Sequence, residues 1–472
     1  MSTKYYSKLL FLLFVVGVCG CKKFVSVSLP STQLVSASTF NNDAGATAAQ
    51  TAIYSQMESL NDPFLMSLKC GLLADELTNY SSDPVQQEYY RNSLQAKDIA
   101  SPWQNAYKYI YDANAVINGL QTYTGVSAGA KQQLTGEAEF IRAFWYFYLV
   151  NLYGDVPLTT TIDYSVNATA ARMPAGEVFA QIVADLANAE GLLSYNFVDV
   201  TDTAMTSERT RPTKWAAAAL LARTYLYLSK YDSAEAQSTL VINNSNNLFQ
   251  LCGTLDSVFL MNNSEAIWQI PPVQPASNIA TPEGRFFILT KAPGGGSDNN
   301  NATISTQLRN AFDSGDLRKT HWIKGYTKGS VTYYFPYKYK VYSTTALSEY
   351  STLLRLAEQY LIRAEARAQQ GNSSGAITDL NVIRNRAGLS VYGGATDQAS
   401  VLNAIHHERQ VELFAEMGHR WFDLGRSGTI NSVMSVVTPL KGGGSWNVTD
   451  VLWPIPLTEI TNDPNLIQNN GY

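Results

Sequence analysis

The chain has 472 residues, and its 34 Lys and Arg against 39 Asp and Glu give a formal net charge of -5. Only 15% of the residues are charged and 45% are hydrophobic, which argues against a disordered chain and against a basic nucleic-acid binder. Tyrosine is frequent, with 28 residues against 18 Phe, so many of the aromatic rings carry a hydroxyl. A chain of this length can bury a large core.

Residues 1–20 have the pattern of a lipoprotein signal peptide. Two lysines precede an apolar stretch from Leu9 to Val18, which is too short to span a bilayer. The run Cys19-Gly20-Cys21 that follows is similar to a bacterial lipobox, and Cys21 fits the lipidated position because a small residue precedes it. We therefore predict cleavage before Cys21 and lipidation of Cys21, with an ordinary secretory signal as the alternative.

Two further cysteines, Cys70 and Cys252, belong to the mature chain. In an oxidising compartment they could form a disulfide. The favoured interpretation is two buried thiols, because a chain this long does not need a disulfide to be stable.

A long amphipathic helix is predicted between Leu134 and Leu152, where apolar residues recur at steps of three and four. Gly154 is expected to end it. Glu139 and Arg142 are three residues apart on this helix and are expected to pair with each other. Aromatic residues at helical spacing are assigned to the core: Tyr107, Tyr111, Trp145, Tyr148, Tyr225 and Tyr360.

Two segments have the spacing of tetratricopeptide hairpins, in which small residues stand where two helices cross. From Leu353 to Ala387 the sequence predicts a helix, a turn at Gly371 and a second helix. The segment from Trp215 to Val241 repeats the offsets with Ser229 at the turn. The two copies lie far apart, so the expected fold is mainly α: tetratricopeptide-type helical hairpins form a scaffold, and loop-rich insertions contain a few short strands.

The insertions lie around 75–100 and 248–345. They combine proline, glycine and asparagine with short β-branched or aromatic runs such as Val331 to Phe335, so loops with a few strands are predicted. Residues 82–100 are predicted to form a loop. The proline-rich C-terminus, with Pro454, Pro456 and Pro464, is predicted to run extended over the surface.

Four stretches together resemble the SusD/RagB-like outer-membrane nutrient-binding lipoproteins. They run from Gly136 to Pro157, from Leu356 to Gly388, from Glu408 to Leu424 and from Leu452 to Asn469. The lipobox also lies where this family has its lipidated cysteine, so residues 21–472 are expected to form one domain of this family. One departure is that Lys22 and Lys23 follow Cys21, where surface-displayed lipoproteins often carry acidic residues.

The resemblance implies a binding subunit without catalysis and without a cofactor. Such a subunit is attached to the outer membrane by its lipid, faces the cell exterior and sits over a TonB-dependent β-barrel transporter as a lid. It hands over a nutrient, usually an oligosaccharide and in some branches of the family a peptide. A helical scaffold that binds only proteins remains a further alternative.

Glu408 and Glu412 are four residues apart and share a helix face, which could indicate a glycosidase and hence a secreted glycan-degrading enzyme. A zinc helix with the HExxH pattern is excluded, because residue 411 is Val. The favoured interpretation is a set of structural ion pairs with neighbouring arginines. No catalytic residue and no metal ligand is therefore predicted.

The candidate ligand-binding residues are aromatic side chains in the insertions together with polar neighbours. An aromatic ring covers the apolar face of a neutral sugar, while Asp, Asn or Arg side chains hydrogen-bond its hydroxyls. For each ring the alternative is that it anchors its own loop to the scaffold. The candidates are Asp75, Asn79, Tyr80, Tyr89, Tyr90, Arg91, Arg285, Phe286, Trp322, Tyr333 and Tyr334.

Overall fold

The computed structural model describes residues 36–244, 247–273, 276–294 and 301–472. The predicted signal peptide and the predicted lipidation site Cys21 lie outside these ranges. Within them, none of the helices combines the length and the apolar character that a membrane crossing requires.

Helices dominate the N-terminal half of the chain. They are α1 (Asp43–Ser59), α2 (Asp62–Leu73), α3 (Pro84–Arg91), α4 (Ala100–Thr122), α5 (Ala128–Tyr153), α6 (Tyr164–Asn167), α7 (Ala175–Leu192), α8 (Lys214–Tyr227) and α9 (Tyr231–Ile242). The C-terminal half continues with α10 (Pro282–Phe287), α11 (Thr306–Ala311), α12 (Leu317–His321), α13 (Leu356–Gln369), α14 (Ser373–Arg386), α15 (Gln398–Glu412), α16 (His419–Arg426), α17 (Ile430–Leu440) and α18 (Leu457–Asn462).

The strands are short and form two-stranded antiparallel sheets. They are β1 (Leu77–Asn79), β2 (Val156–Pro157), β3 (Arg172–Met173), β4 (Ala266–Ile270), β5 (Ala302–Ile304), β6 (Ile323–Lys328), β7 (Val331–Pro336) and β8 (Ser351–Arg355). The pairs are β1 with β5, β2 with β3, β4 with β8, and β6 with β7. The prediction of a mainly helical fold with a few short strands is confirmed.

The two predicted hairpins pack directly against each other although they are distant in the sequence. Ala222 of α8 and Ala234 of α9 share an apolar cluster with Ile362 and Ala366 of α13. Small residues at these crossings let the helix backbones approach closely. Ser229 and Gly371 occupy the two turns with positive φ values of 55° and 81°, so the tetratricopeptide-type spacing is confirmed.

One boundary of the second hairpin was predicted wrongly. Leu353 lies in strand β8, and the helix starts three residues later at Leu356. Leu353 and Leu354 are both buried, so this edge strand is apolar on both faces and its pattern can be mistaken for one turn of a helix.

Helix α5 has the predicted apolar face and ends at Gly154, whose φ of 72° suits a residue without a Cβ. The predicted pair of Glu139 and Arg142 is corrected. Arg142 instead forms a salt bridge of 2.6 Å with Asp185 of α7, while Glu139 accepts a hydrogen bond from Asn188 at 2.6 Å. Each of the two side chains therefore binds a residue of α7 instead of the other.

The loop predicted for residues 82–100 contains helix α3. Asp83 caps its first turn by accepting from the backbone N–H of Val85 at 2.7 Å, and Pro84 suits the first helical position. Tyr111 is also corrected, because it is not a core residue: 47% of its surface is exposed.

The C-terminal tail was expected on the surface, but Trp453 and Ile455 are fully buried. The backbone N–H of Trp453 donates to the carbonyl of Leu152 at 2.7 Å, which ties the tail to the end of α5. Asn469 donates to the carbonyls of Tyr153 and Trp453. The prolines prevent a long helix here, but the segment is packed rather than draped over the surface.

Cys70 and Cys252 are free and buried. The favoured prediction of two buried thiols is confirmed. Burial, together with the nearby Glu76 carboxyl, raises the pKa of the Cys70 thiol well above its ordinary value, so the thiol is unreactive in the folded chain.

Candidate functional site

The two insertions meet at a small group of strands. Strand β1 pairs with β5, with Thr78 opposite Thr303, and β5 in turn packs beside β7. The backbone N–H of Tyr80 donates to the carbonyl of Asn301 at 2.7 Å, which extends this pairing by one residue. The strands thus bring side chains from residues near 80 next to side chains from residues near 333.

Two of the predicted tyrosines meet at this place, and a third lies beside them on the same strand. The rings of Tyr80 and Tyr333 meet edge to face, with centroids 5.5 Å apart and an interplanar angle of 81°. Tyr80 is 38% exposed, and Tyr333 and Tyr334 are half-buried. The guanidinium carbon of Arg309 lies 4.8 Å from the centroid of the Tyr334 ring. Tyr334 follows Tyr333 along β7, so its side chain projects from the opposite face of the strand. We call Tyr80 and Tyr333 the tyrosine face.

The tyrosine face offers the two kinds of contact that a neutral sugar requires. Exposed aromatic rings can cover the apolar C–H face of a pyranose, and the tyrosine hydroxyls can hydrogen-bond its rim. The edge-to-face contact between Tyr80 and Tyr333 holds both rings in position before any ligand arrives. Such preorganisation reduces the entropy lost on binding.

A small polar pocket of about 190 Å³ adjoins strand β1. Its lining includes Asp75, Thr78, Tyr90, Ser305, Gln307 and Lys441. Typical ligand pockets have volumes of about 300–1,000 Å³, so a sugar polymer would lie across the tyrosine face rather than enter this pocket. Thr78 of β1 lines the pocket together with Tyr90, so the pocket adjoins the strand that leads directly to Tyr80.

Asp75 and Asn79 were predicted as ligand contacts, and both are corrected to structural roles. The two carboxylate oxygens of Asp75 accept from Arg420 at 2.7 Å each. Asn79 accepts through Oδ1 from the backbone N–H of Ser81 and from Gln86. Both side chains are almost fully buried, and their hydrogen bonds hold β1 in place.

Tyr89 and Trp322 are also corrected, because their rings are 1% and 0% exposed. Tyr89 packs edge to face on Trp453, with centroids 5.1 Å apart. The indole N–H of Trp322 donates to the carbonyl of Leu255 at 3.0 Å. Both are core residues that anchor their segments to the scaffold, which was the alternative stated for each ring.

The other candidates lie at the edges of this region. Phe286 on α10 is half-buried, and its ring centroid lies 4.8 Å from that of Phe64, so it packs on the scaffold. Arg285 stacks over Phe286 at 5.1 Å. Arg91 is exposed at the end of α3, and Tyr90 lines the polar pocket.

The acidic cluster of α15 forms a buried ion network. Glu412 accepts from Arg355 at 2.6 Å and from Arg318 at 2.9 Å, and it also pairs with Arg386. Glu408 lies 2.7 Å from the same Arg318. Both glutamates are 0% exposed. The interpretation as structural ion pairs is confirmed, because the carboxylates meet arginines and face no cleft.

Charge compensation determines the protonation of this network. Burial by itself would raise the pKa of Glu412, but Arg386, Arg355 and Arg318 hold it well below its usual value. Burial lowers the pKa of Lys338 to about 8, against the opposing effect of its partner Glu416. A general acid needs a raised pKa, so Glu412 is unsuited to that role.

Two family models match successive parts of the chain. One, described as starch-binding associating with outer membrane, matches residues 29–226, and the other, described as the SusD family, matches residues 296–472. Together the two matches cover most of the chain, which resembles the SusD family from residue 29 to its last residue apart from residues 227–295. The second match includes β7 with Tyr333 and the ion network of α15, whereas Tyr80 lies in the first match.

Relatives and solved structures of the SusD family align over most of the chain. SusD-like protein P25 of Formosa agariphila is 23% identical, and the alignment covers 85% of this chain and 84% of the relative. A crystal structure of a SusD superfamily protein from Bacteroides vulgatus has a TM-score of 0.78 at 20% identity and covers 91% of this chain and 99% of that one. A laminarin-binding SusD-like protein has a TM-score of 0.74 at 23% identity, with 90% and 99% coverage.

Two residues around this hairpin were missed in the sequence. Tyr326 of β6 lies directly opposite Tyr333, and a Gly-Ser hairpin signal at Gly329 was available to place it there. Arg309 comes from α11, and only the tertiary fold brings it to Tyr334 on the other face of β7. The surroundings of the candidate site therefore cannot all be read from local patterns.

Proposed function

We propose that this chain is a lipid-anchored outer-membrane protein that captures a neutral oligosaccharide at the tyrosine face and delivers it to a TonB-dependent β-barrel transporter. The observation that carries the proposal is the half-exposed, edge-to-face pair of Tyr80 and Tyr333 on the insertions of a SusD-like scaffold. Exposed rings that are held in fixed positions favour uncharged, hydroxyl-rich ligands.

The ligand class is supported by what related proteins are described as binding. The family model that matches residues 29–226 is described as starch-binding, and one of the similar solved structures is titled a laminarin-binding protein. Both polymers consist of glucose, so maltoheptaose and laminarihexaose are suitable first probes. The low fraction of charged residues, 15%, agrees with an uncharged ligand.

A binding role is favoured over glycan hydrolysis. Glu408 and Glu412, which motivated the enzyme alternative, are paired with buried arginines. A glycosidase needs two carboxyl groups that face each other across a cleft about 5–10 Å apart. We expect wild-type protein incubated with the two oligosaccharides to release no shorter products in chromatography, and turnover would contradict the proposal.

The binding test uses a local reporter. Val331 is 49% exposed and lies two residues from Tyr333 on the same face of β7. A fluorophore on Val331→Cys is therefore next to the site, and the buried Cys70 and Cys252 are not expected to react. The soluble chain that starts at Lys22 is first applied to a glycan and peptide array. The labelled protein is then titrated with the two oligosaccharides.

We expect Tyr80→Ala with Tyr333→Ala to weaken the response of this label at least tenfold. Tyr195→Ala is the matched control, since Tyr195 is 56% exposed and its ring contacts Trp215, away from β7. Unchanged affinity in the double variant would refute the tyrosine face as the site. Binding of peptides alone on the array would instead favour a peptide-binding member of the family.

Attachment and partner have separate tests. Cys21→Ala should move the protein out of the outer-membrane fraction, and unchanged membrane partitioning would contradict the lipid anchor. Native purification of the wild-type chain should bring down a β-barrel transporter. Its absence from gently solubilised membranes would contradict the proposed delivery step without affecting the proposed ligand site.

A further inference from the structure

A second and larger cleft lies away from the tyrosine face. It has a volume of about 710 Å³, and its lining includes Trp103, Tyr107, Tyr111, Tyr164, Asn167 and Glu459. These residues come from α4, α6 and α18, and the tyrosine face contributes none of them. The volume is within the range of about 300–1,000 Å³ that is usual for ligand pockets.

The walls of this cleft carry exposed aromatic rings. Tyr164 on α6 is 82% exposed and Tyr111 on α4 is 47% exposed. Trp103 and Tyr107 lie deeper, with ring centroids 4.9 Å apart. A single exposed ring is ordinary on a protein surface, but rings grouped in one concave place indicate a binding site. Sequence spacing assigned Tyr107 and Tyr111 to the core, so this group was not foreseen.

Polar groups surround the rings, and most of them are already paired. Gln104 donates to Glu459 at 2.9 Å, and Lys108 forms a salt bridge of 2.9 Å with Asp112. The hydroxyl of Tyr107 donates to the carbonyl of Pro157 at 2.8 Å. A phosphate or carboxylate ligand would have to compete with Asp112 for Lys108, whereas hydroxyl groups can share these amides and oxygens.

Asn167 points to the same ligand chemistry. Its Nδ2 donates to the carbonyl of Thr161 at 2.8 Å. Its Oδ1 is buried and has no hydrogen-bond donor among the described residues. A buried acceptor without a donor costs about 1–3 kcal/mol, and a ligand hydroxyl at this edge of the cleft would supply the missing donor.

We propose that this cleft is a second binding site for a neutral oligosaccharide, in which Tyr111 and Tyr164 cover sugar rings and Asn167 accepts from a hydroxyl. The proposal goes beyond the function proposed above, since its ligand class follows from the residues of this cleft. A chain with two separate sugar sites can hold a long polymer at two points, which raises avidity without any new contact at either site.

The test places one reporter at each site. Val166 on α6 is 55% exposed and adjoins Asn167, so a fluorophore on Val166→Cys reports the cleft, while one on Val331→Cys reports the tyrosine face. Each labelled chain is titrated with maltoheptaose and with laminarihexaose. We expect a saturable response of the Val166→Cys label that persists in the Tyr80→Ala, Tyr333→Ala background.

Two variants of the cleft test which side chains bind the oligosaccharide. Tyr111→Ala with Tyr164→Ala should weaken the Val166→Cys response at least tenfold and leave the Val331→Cys response unchanged. Tyr164→Phe keeps the ring and should retain most of the binding. A response at Val331→Cys alone would overturn the cleft proposal and support the tyrosine face as the binding site. A response at Val166→Cys alone would support the cleft and refute the tyrosine face.

Two further outcomes also decide against the cleft. If neither label responds to either oligosaccharide and the glycan array is empty, both sugar sites are refuted. If Tyr111→Ala with Tyr164→Ala abolishes co-purification of a transporter while the Val166→Cys response to both oligosaccharides is unchanged, the cleft is a protein contact instead.

Discussion

The ion network of α15 and the tyrosine face differ in what their functional groups touch. In the network, Glu412 is 0% exposed and is surrounded by arginines of the same chain. On the tyrosine face, Tyr80 is 38% exposed, and its ring meets that of Tyr333 edge to face. The network satisfies its own charges, whereas the face leaves ring surface uncovered.

The two regions also differ in how their sequences signal them. The network lies in the stretch from Glu408 to Leu424, which carries part of the family resemblance and attracts attention as catalytic. The tyrosine face lies in insertions without a motif. In this chain the dense pattern of charges marks packing between helices, and the residues free to meet a ligand lie where the pattern is weakest.

The largest expected effect comes from breaking the network. Glu412→Gln leaves Arg355 and Arg386 buried with an incomplete partner, and removing one partner of a buried pair typically costs about 3–5 kcal/mol. Urea unfolding should show this loss. Glu177→Gln, an exposed position in the first turn of α7, is the control and should change stability by less than about 0.5 kcal/mol.

The same variant has a pH signature. Because the folded pKa of Glu412 is held below its value in the unfolded chain, its contribution is present above about pH 4.3 and is lost as the pH falls. Wild-type stability should therefore decrease more steeply than that of Glu412→Gln on acidification. Parallel pH profiles would contradict the assigned charge state of Glu412.

The second prediction contrasts a corrected candidate with a retained one. Trp322→Ala removes a fully buried indole and should cost about 3–5 kcal/mol, while Tyr80→Ala should cost less than about 1 kcal/mol. In the titration with the Val331→Cys label, the loss of ligand affinity should be larger for Tyr80→Ala than for Trp322→Ala. Trp322→Phe, which keeps most of the packing, should bind like wild type, and a tenfold loss in that variant would reinstate Trp322 as a ligand contact.

The third prediction concerns a buried acidic pair formed by Glu283 of α10 and Glu58 of α1. The Ser351 hydroxyl lies between them, 2.8 Å from Glu283 and 3.2 Å from Glu58, and burial raises the pKa of Glu283 to about 7. A raised carboxyl pKa means that the folded chain binds the proton more tightly. Its stabilising effect is therefore present below about pH 4.3 and is lost as the pH rises toward about 7.

Glu283→Gln should consequently be more stable than wild type at pH 8 by about 1 kcal/mol or more, because one pKa unit corresponds to about 1.4 kcal/mol. The difference should diminish at pH 4. Thermal or urea unfolding at the two pH values measures it. An equal change at both values would show that Glu283 does not titrate with folding.

The smallest expected effect concerns the cysteines. Cys70 and Cys252 are free and buried. A reducing agent should therefore leave the melting temperature of the soluble chain that starts at Lys22 unchanged. A thiol reagent should react with both cysteines only after denaturation. A lower melting temperature on reduction would indicate a disulfide and contradict the structure at these residues.

The scaffold was predictable from the sequence because helix periodicity is local. Leu134 to Leu152, Ser229 and Gly371 are placed as their spacing indicated. The position of one hairpin against the other was not predictable, since the contact of Ala222 with the residues around Ile362 joins distant segments. Helical spacing also failed for Tyr111, because a helix face can line an open cleft as well as a core.

The candidate site was predictable only in part. Tyr80 and Tyr333 were named for their polar neighbours and do meet, whereas Tyr334 lies on the other face of β7. The same reasoning also selected Tyr89 and Trp322, which are buried. Polar neighbours in the sequence do not report burial, because an aromatic side chain with a polar tip can satisfy that tip on the backbone, as Trp322 does on Leu255.

The contact between the two hairpins has a consequence for how the chain is made. When a ribosome has synthesised α8 and α9, the partner surface around Ile362 and Ala366 is still more than a hundred residues away in the message. The side of α8 that carries Ala222 then stays uncovered until α13 has been translated. Docking of the two hairpins must therefore wait until α13 is made, and in a chain terminated before Leu356 the segment of α8 and α9 should be more protease-sensitive than in the full chain.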